Sequence, residues 1–324
     1  MLVQGLIFAL GLGVLYFGAE WLVRGASALA LRLGIRPLVV GLTVVALGTS
    51  MPELLLNVIA VWSDQDALAI GNIIGSNIAN IALILGITAL VLPLTVEPEA
   101  LKKEYPMMLG VTLLFWALAL DGAISRTDGA ILLTALLAFM VYVVRDSRSR
   151  PKGLVDIPEE EHGPDATRWA RFVTTQAGRI TLVIFGVVLL AVGADLMVGS
   201  AVAIADYLGI HPGIIGLTVV AVGTSLPELA ASLVCALRGE AEMSVGNVLG
   251  SNMLNIMFVV GLVAVLNPMA IEPVALKLHF PIMVAFTILL FPLAYTRKQI
   301  TRMEGGFLVA GFTTYFVYLL VPYI

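Results

Sequence analysis

Cysteine is nearly missing: Cys235 is the only one in 324 residues. That excludes an intrachain disulfide and any cysteine-built metal site. Histidine is scarce as well. His162, His211 and His279 fall in a polar stretch or near expected helix ends, with no Ser-His or His-metal spacing. Hydrolytic chemistry therefore has no machinery here, and the chain is not expected to be an enzyme. Charge is thin too, at 12% of residues, and nucleic acid is not an expected partner. The first apolar segment lacks a basic n-region and a small-residue cleavage site, so it is expected to be a retained span rather than a signal peptide.

Apolar residues fill the space these absences leave, at 60% of the chain. A spanning helix needs about 20 predominantly apolar residues. Ten segments meet or approach that length: 2–31, 37–62, 68–92, 104–120, 128–144, 180–207, 212–237, 243–266, 278–295 and 303–323. The fold class is an all-α polytopic membrane protein with the lipid bilayer as its surroundings. With the N-terminus outside, only Arg126 and Lys277 of the 18 basic residues fall outside. This positive-inside bias places both termini outside. It also puts the polar stretch 146–178 in the cytoplasm as a linker. Within that linker, Glu159, Glu160, Glu161 and His162 read as a solvated acidic patch in preference to a chelating site. In the first segment Glu20 and Arg24 stand four apart, a helical ion-pair spacing.

One stretch occurs twice. Residues 41–86 and 216–261 align without a gap at an offset of 175, with 20 of 46 positions identical. The identities are mostly Gly, Pro, Glu, Asn, Ser and Thr. A membrane demands apolar residues everywhere; it does not demand matched Glu and Asn. Gly18 and Gly193, Pro37 and Pro212, Glu97-Pro98 and Glu272-Pro273 extend the match. The unit is therefore about five helices: 1–145 and 179–324 on either side of the linker. Five is odd, so the second copy is expected upside down relative to the first, the construction of secondary transporters with a site near midplane.

In the first copy, Pro52 offers no N–H, so the carbonyl near Gly48 loses its helical partner and a kink is expected. Thr49, Ser50 and Glu53 share a face there. Asn72, Ser76 and Asn80 form a stripe at four-residue spacing, while Gly71 and Gly75 permit close backbone approach. The second copy repeats this with Thr224, Ser225, Pro227, Glu228, Gly246, Asn247, Gly250, Ser251 and Asn255. Asn57 is matched only by Ser232, which marks that position as less essential. These are oxygen ligands, suited to hard cations such as Na⁺ and Ca²⁺. Asn72, Asn77, Asn247 and Asn252 are open to two readings, ligand or interhelical hydrogen bond. Glu53 and Glu228 are not. A carboxylate near midplane costs at least ~2.5 kcal/mol, and no Lys or Arg lies in either broken helix, so a mobile cation is the simplest partner.

At these residues the sequence resembles the cation/calcium exchanger superfamily, whose two inverted α-repeats carry G-T-S-x-P-E and G-N-x-x-G-S-N. It is most similar to the short bacterial, YrbG-like sodium/calcium exchangers. The resemblance implies ten helices, with helices 2, 3, 7 and 8 around the ion site and helices 1 and 6 sliding across that core. Carried over by motif, the ion ligands are Thr49, Ser50, Glu53, Ser76 and Asn80, then Thr224, Ser225, Glu228, Ser251 and Asn255. Main-chain carbonyls near Ala46 and Ala221 join them. Calcium-transporting members carry Asp where this chain has Asn255. Two carboxylates remain, enough to neutralise one Ca²⁺ or two Na⁺.

The expected function is Na⁺-coupled Ca²⁺ antiport in a bacterial inner membrane, with Na⁺ and Ca²⁺ as substrates and no resident cofactor. Two alternatives stand beside it: Ca²⁺/H⁺ or another monovalent/divalent exchange, and a cation channel.

Overall fold

The computed structural model describes residues 1–149, 175–210 and 221–321. In chain order the helices begin with α1 (Leu2–Leu33), α2 (Pro37–Thr49) and α3 (Met51–Trp62). Next come α4 (Asp66–Val91), the short α5 (Pro98–Lys102), α6 (Glu104–Ala119) and α7 (Arg126–Ser149). After the linker follow α8 (Gln176–Tyr207), the short α9 (Ala221–Gly223), α10 (Leu226–Leu237) and α11 (Ala241–Leu266). The last two are α12 (Ala275–Arg297) and α13 (Arg302–Leu320). Seven of the described helices are long and apolar enough to cross a membrane, and the bent pair α2–α3 adds an eighth. The chain is therefore an all-helical multi-pass membrane protein. Leu6, Phe17, Ile184 and Phe185 stay exposed on α1 and α8, which is the surface a lipid-facing helix needs.

Helix ends fall within a few residues of the sequence expectation. α7 runs on to Ser149 and α8 starts at Gln176, both inside the expected 146–178 bounds. The acidic run Glu159–His162 and the segment 211–220 lie outside the described residues.

Glycine sets how these helices pack. Gly11, Gly18 and Gly25 recur every seven residues on α1 and meet Gly193, Leu190 and Arg179 of α8, in descending order. The two longest helices thus cross antiparallel with backbones in contact. A Cβ on Gly18 would lie 2.7 Å from the Leu190 nitrogen, and one on Gly193 2.6 Å from that of Leu15. Two more glycine pairs follow the repeat, with a one-residue slip between Gly129 and Gly305: Gly86 of α4 faces Gly305 of α13, and Gly261 of α11 faces Gly129 of α7. Gly246 and Gly250 let α11 close onto the Leu38 and Leu42 carbonyls of α2, as the small-residue pattern predicts. The long helices α1 and α8 each end on a left-handed glycine, Gly34 (φ 64°) and Gly209 (φ 73°).

Two short antiparallel ribbons join the halves. β1 (Leu94–Thr95) pairs with β4 (Gln299–Ile300), and β2 (Ala123–Ile124) with β3 (Met269–Ala270). They sit at opposite ends of α6, which separates β1 from β2. At the β1–β4 end, Arg36 pairs with Glu97, and Arg238 pairs with Glu20 of α1. Arg24 is the more distant partner of Glu20, at 3.9 Å. The expected Glu20–Arg24 pair is thus secondary to a tertiary one.

Candidate cation site

Both copies break their helix where proline removes an N–H. The α2–α3 pair bends by 44°, and Ser50 at the break has φ −82°, ψ 5°. Ser225, ahead of α10, has nearly the same conformation, φ −91°, ψ 5°. Each break starts a new helix with its glutamate in the first turn, Glu53 in α3 and Glu228 in α10. The exposed N–H groups of a helix N-terminus favour a carboxylate there. The facing walls come from α4 and α11. Both helices widen into a π-helical turn, Asn80–Ile84 and Asn255–Val260, that begins at the asparagine predicted to be a ligand. Such turns spare a backbone carbonyl and recur at functional sites.

Contacts between the halves tie the two breaks together. Ser50 Oγ donates to Glu228 Oε1 at 3.2 Å. Thr49 Oγ1 reaches Asn247 Oδ1 at 3.4 Å, and Thr224 Oγ1 reaches Asn72 Oδ1 at 3.3 Å. Asn80 Nδ2 donates to Asn252 Oδ1 at 3.1 Å, and Asn252 Nδ2 lies 3.6 Å from Met108 Sδ of α6. Asn247 Nδ2 donates to Ser232 Oγ at 2.9 Å and to the Glu228 carbonyl at 3.3 Å. In the other copy Asn57 Nδ2 donates to the Glu53 carbonyl at 2.6 Å.

What remains unpartnered is almost entirely oxygen. Both carboxylate oxygens of Glu53, Oε2 of Glu228, the hydroxyls of Ser76, Ser225 and Ser251, and Oδ1 of Asn80 and Asn255 are buried without a hydrogen-bond partner. Glu53 and Glu228 are each 0% exposed. A buried polar group left unsatisfied costs about 1–3 kcal/mol, more when charged. A species that takes several oxygen ligands at once satisfies such a cluster. A hard cation does, and Ca²⁺ takes 6–8 oxygens. No group of three or more His, Cys, Asp or Glu converges among the described residues. The candidate cluster thus holds two carboxylates beside neutral oxygens.

The structure gathers Thr49, Ser50, Glu53, Ser76, Asn80, Thr224, Ser225, Glu228, Ser251 and Asn255 along the two breaks and their facing helices. Thr224 is the half-exposed member; the other nine are buried. The hydroxyls of Thr49 and Ser50 reach across to the other half, to Asn247 and Glu228. The Ala46 carbonyl already accepts the Ser50 N–H at 3.0 Å and the Thr49 hydroxyl at 3.3 Å. Ala221 opens α9 just before the second break. Asn57, discounted because Ser232 matches it, is buried against Glu53 with its Oδ1 unpartnered. Polarity at both copies, rather than identity, was the signal for that position. Among the described residues nothing lies within 4 Å of a Cβ placed on Gly71 or Gly75.

Comparison with known proteins shows the family and the fold. Residues 3–145 and 179–322 match the family described as sodium/calcium exchanger protein. The inner membrane protein YrbG of Escherichia coli is 34% identical over 330 residues, covering 98% of this chain and 97% of that one. The sodium/calcium exchanger MaX1 of Methanosarcina acetivorans is 30% identical over 344 residues, covering 98% of each. A solved structure of the sodium-calcium exchanger NCX_Mj, soaked with Na⁺ and Ca²⁺, superposes with a TM-score of 0.80 at 30% identity over 97% of both chains. Matching over nearly its whole length in sequence and in structure, the chain belongs to the sodium/calcium exchanger protein family, a family of transporters rather than enzymes.

Proposed function

We propose that this protein is a Na⁺-coupled Ca²⁺ antiporter of a bacterial inner membrane. It is read as ten spans in two inverted five-helix repeats, with both termini outside and the linker in the cytoplasm. The antiparallel α1–α8 crossing, the reciprocal glycine pairs and the two ribbons at opposite ends support the inversion. The relatives' names support the ions, since MaX1 and NCX_Mj are sodium/calcium exchangers.

One observation carries the reading: two fully buried carboxylates, Glu53 and Glu228, stand among unpartnered neutral oxygens with no basic side chain bonded to either. Two negative charges balance one Ca²⁺ or two Na⁺, so the same oxygens serve either ion in turn. Charge and coordination number discriminate between them. Glu53, Glu228, Ser76, Ser251, Asn80, Asn255, Thr49, Thr224, Ser50, Ser225 and the Ala46 and Ala221 carbonyls are the proposed ligands. Alternating access needs no covalent step. Cations bind from one side, the α1–α8 pair shifts across the core, and the ions leave on the other side.

The test is ⁴⁵Ca²⁺ uptake into proteoliposomes loaded with Na⁺ and diluted into Na⁺-free buffer at fixed pH, against vesicles loaded with choline. Uptake that requires internal Na⁺ is expected. Glu53→Gln and Glu228→Gln, nearly isosteric and uncharged, are each expected to abolish uptake while leaving membrane insertion unchanged. Near-normal uptake in either variant would remove the mechanism. Uptake driven by a pH gradient without Na⁺ would reassign the coupling ion to the proton.

A further inference from the structure

A hydroxyl ligates a cation through a lone pair, and its single proton must then be taken up elsewhere. In water the solvent accepts it. In a buried site the protein must supply an acceptor on the far side of the oxygen, or the proton competes with the cation for the space in front.

Thr49 and Thr224 each have such an acceptor, and in each case the opposite half provides it. Thr49 Oγ1 lies 3.4 Å from Asn247 Oδ1 on α11, and Thr224 Oγ1 lies 3.3 Å from Asn72 Oδ1 on α4. The Asn247 amide has one sensible orientation. Its Nδ2 is committed to Ser232 Oγ at 2.9 Å and to the Glu228 carbonyl at 3.3 Å, so Oδ1 must face Thr49. Thr49 has two further acceptors, the Ala46 carbonyl at 3.3 Å, which also holds the Ser50 N–H, and the Glu228 carboxylate. Handing the proton to Asn247 frees that carbonyl, and leaves the carboxylate, for the cation.

We propose that Asn247 and Asn72 are positioning residues that take up the hydroxyl protons of Thr49 and Thr224, so that both threonines present lone pairs to the transported cation. This rests on the cation site proposed above. It assigns to these two asparagines a role other than ligation or helix packing. Because each asparagine serves the threonine of the other half, ligand readiness in one half depends on the other half being in place.

Pairwise coupling tests the assignment. Asn72 gives the cleaner arm, because its Nδ2 has no partner, so Asn72→Leu removes only the bond accepted from Thr224. Purified full-length protein in detergent is titrated with ⁴⁵Ca²⁺, and with Na⁺ as competitor. Asn72→Leu and Thr224→Val are each expected to weaken binding about 10–100-fold, the range for groups that orient a metal ligand. The double variant is expected to be no weaker than the weaker single one, since both remove the same bond. The crossed pair, Asn72→Leu with Thr49→Val, is expected to multiply its two effects. Helix packing alone does not generate that pair-specific pattern. Multiplied effects in the Asn72–Thr224 pair, or a folded Asn72→Leu protein with unchanged binding, would overturn the assignment. If Asn72→Leu does not fold, Asn72→Ser, too short to reach Thr224, replaces it with the same expectations. Absence of cation binding by the unsubstituted protein would overturn the cation site itself, and this assignment with it.

Discussion

The Glu228 carboxylate is held by hydroxyls supplied from the other half, Ser50 first and Thr49 beside it. Ser50 Oγ donates to its Oε1 at 3.2 Å, while Oε2 has no hydrogen-bond partner. A hydrogen bond to a charged group contributes about 1.5–3 kcal/mol, and this one stabilises the carboxylate as an anion. Ser50→Ala is therefore expected to weaken apparent cation affinity by roughly tenfold or more, at about 1.4 kcal/mol per decade. The half-saturating Ca²⁺ concentration in the proteoliposome assay reads it. Ser225→Ala removes a hydroxyl that lacks a hydrogen-bond partner, so any loss there reports direct ligation alone. Equal effects on Na⁺-free and Na⁺-competed uptake would argue that Ser50 only supports folding.

At the scale of elements, the α1–α8 contact is made of glycine. Gly11, Gly18, Gly25, Gly186 and Gly193 leave no room for a Cβ, and the contact gains van der Waals packing rather than hydrophobic energy, since lipid is as apolar as leucine. Overpacking such a contact typically costs about 1–3 kcal/mol. Gly18→Leu is expected to lower the melting temperature in detergent by several degrees and to slow exchange. Gly13→Ala on the same helix meets nothing within 4 Å, so it is expected to be neutral or slightly stabilising, alanine being the better helix former. A Gly18→Leu protein with unchanged melting and unchanged flux would mean that this crossing neither holds the fold nor moves. The breaks at Ser50 and Ser225 have a different origin, proline, and they place a carboxylate at a helix N-terminus in both copies.

Across the whole molecule, the two ribbons define two ends. Thr95 pairs with Gln299 at one end and Ala123 with Ala270 at the other. Cys235 is buried, so an impermeant maleimide reads introduced cysteines on the natural background. With both termini outside, Ala123→Cys and Ala270→Cys are expected to label in right-side-out vesicles. Thr95→Cys and Gln299→Cys are expected to label only after permeabilisation. Any ribbon whose two strands label from opposite sides would break the inverted topology. The ends are not equivalent: Glu20 and Arg238 pair at the β1–β4 end, while the residues at matching positions, Asp195 and Ser63, carry no opposite charges to pair.

The sequence alone determined that this chain lives in a membrane, that its polar stretch is doubled, and which residues are the candidates for the site. Each follows from a one-dimensional signal: apolar run length, a constant 175-residue offset, and polar residues where lipid tolerates few. The glutamates and the proline breaks were legible because their physics is local to one helix. The partner of each polar group was not. Spacing put Thr49, Ser50 and Glu53 on one face without naming partners, and aimed Glu20 at Arg24; the folded chain takes the hydroxyls to Asn247 and Glu228, and Glu20 to Arg238. Asn57 and Ser232 differ in identity but share a buried polar place beside the two glutamates. Only tertiary structure decided these matters, because a hydrogen bond depends on distance in space, and residues about 200 apart in sequence approach only when the two halves interlock.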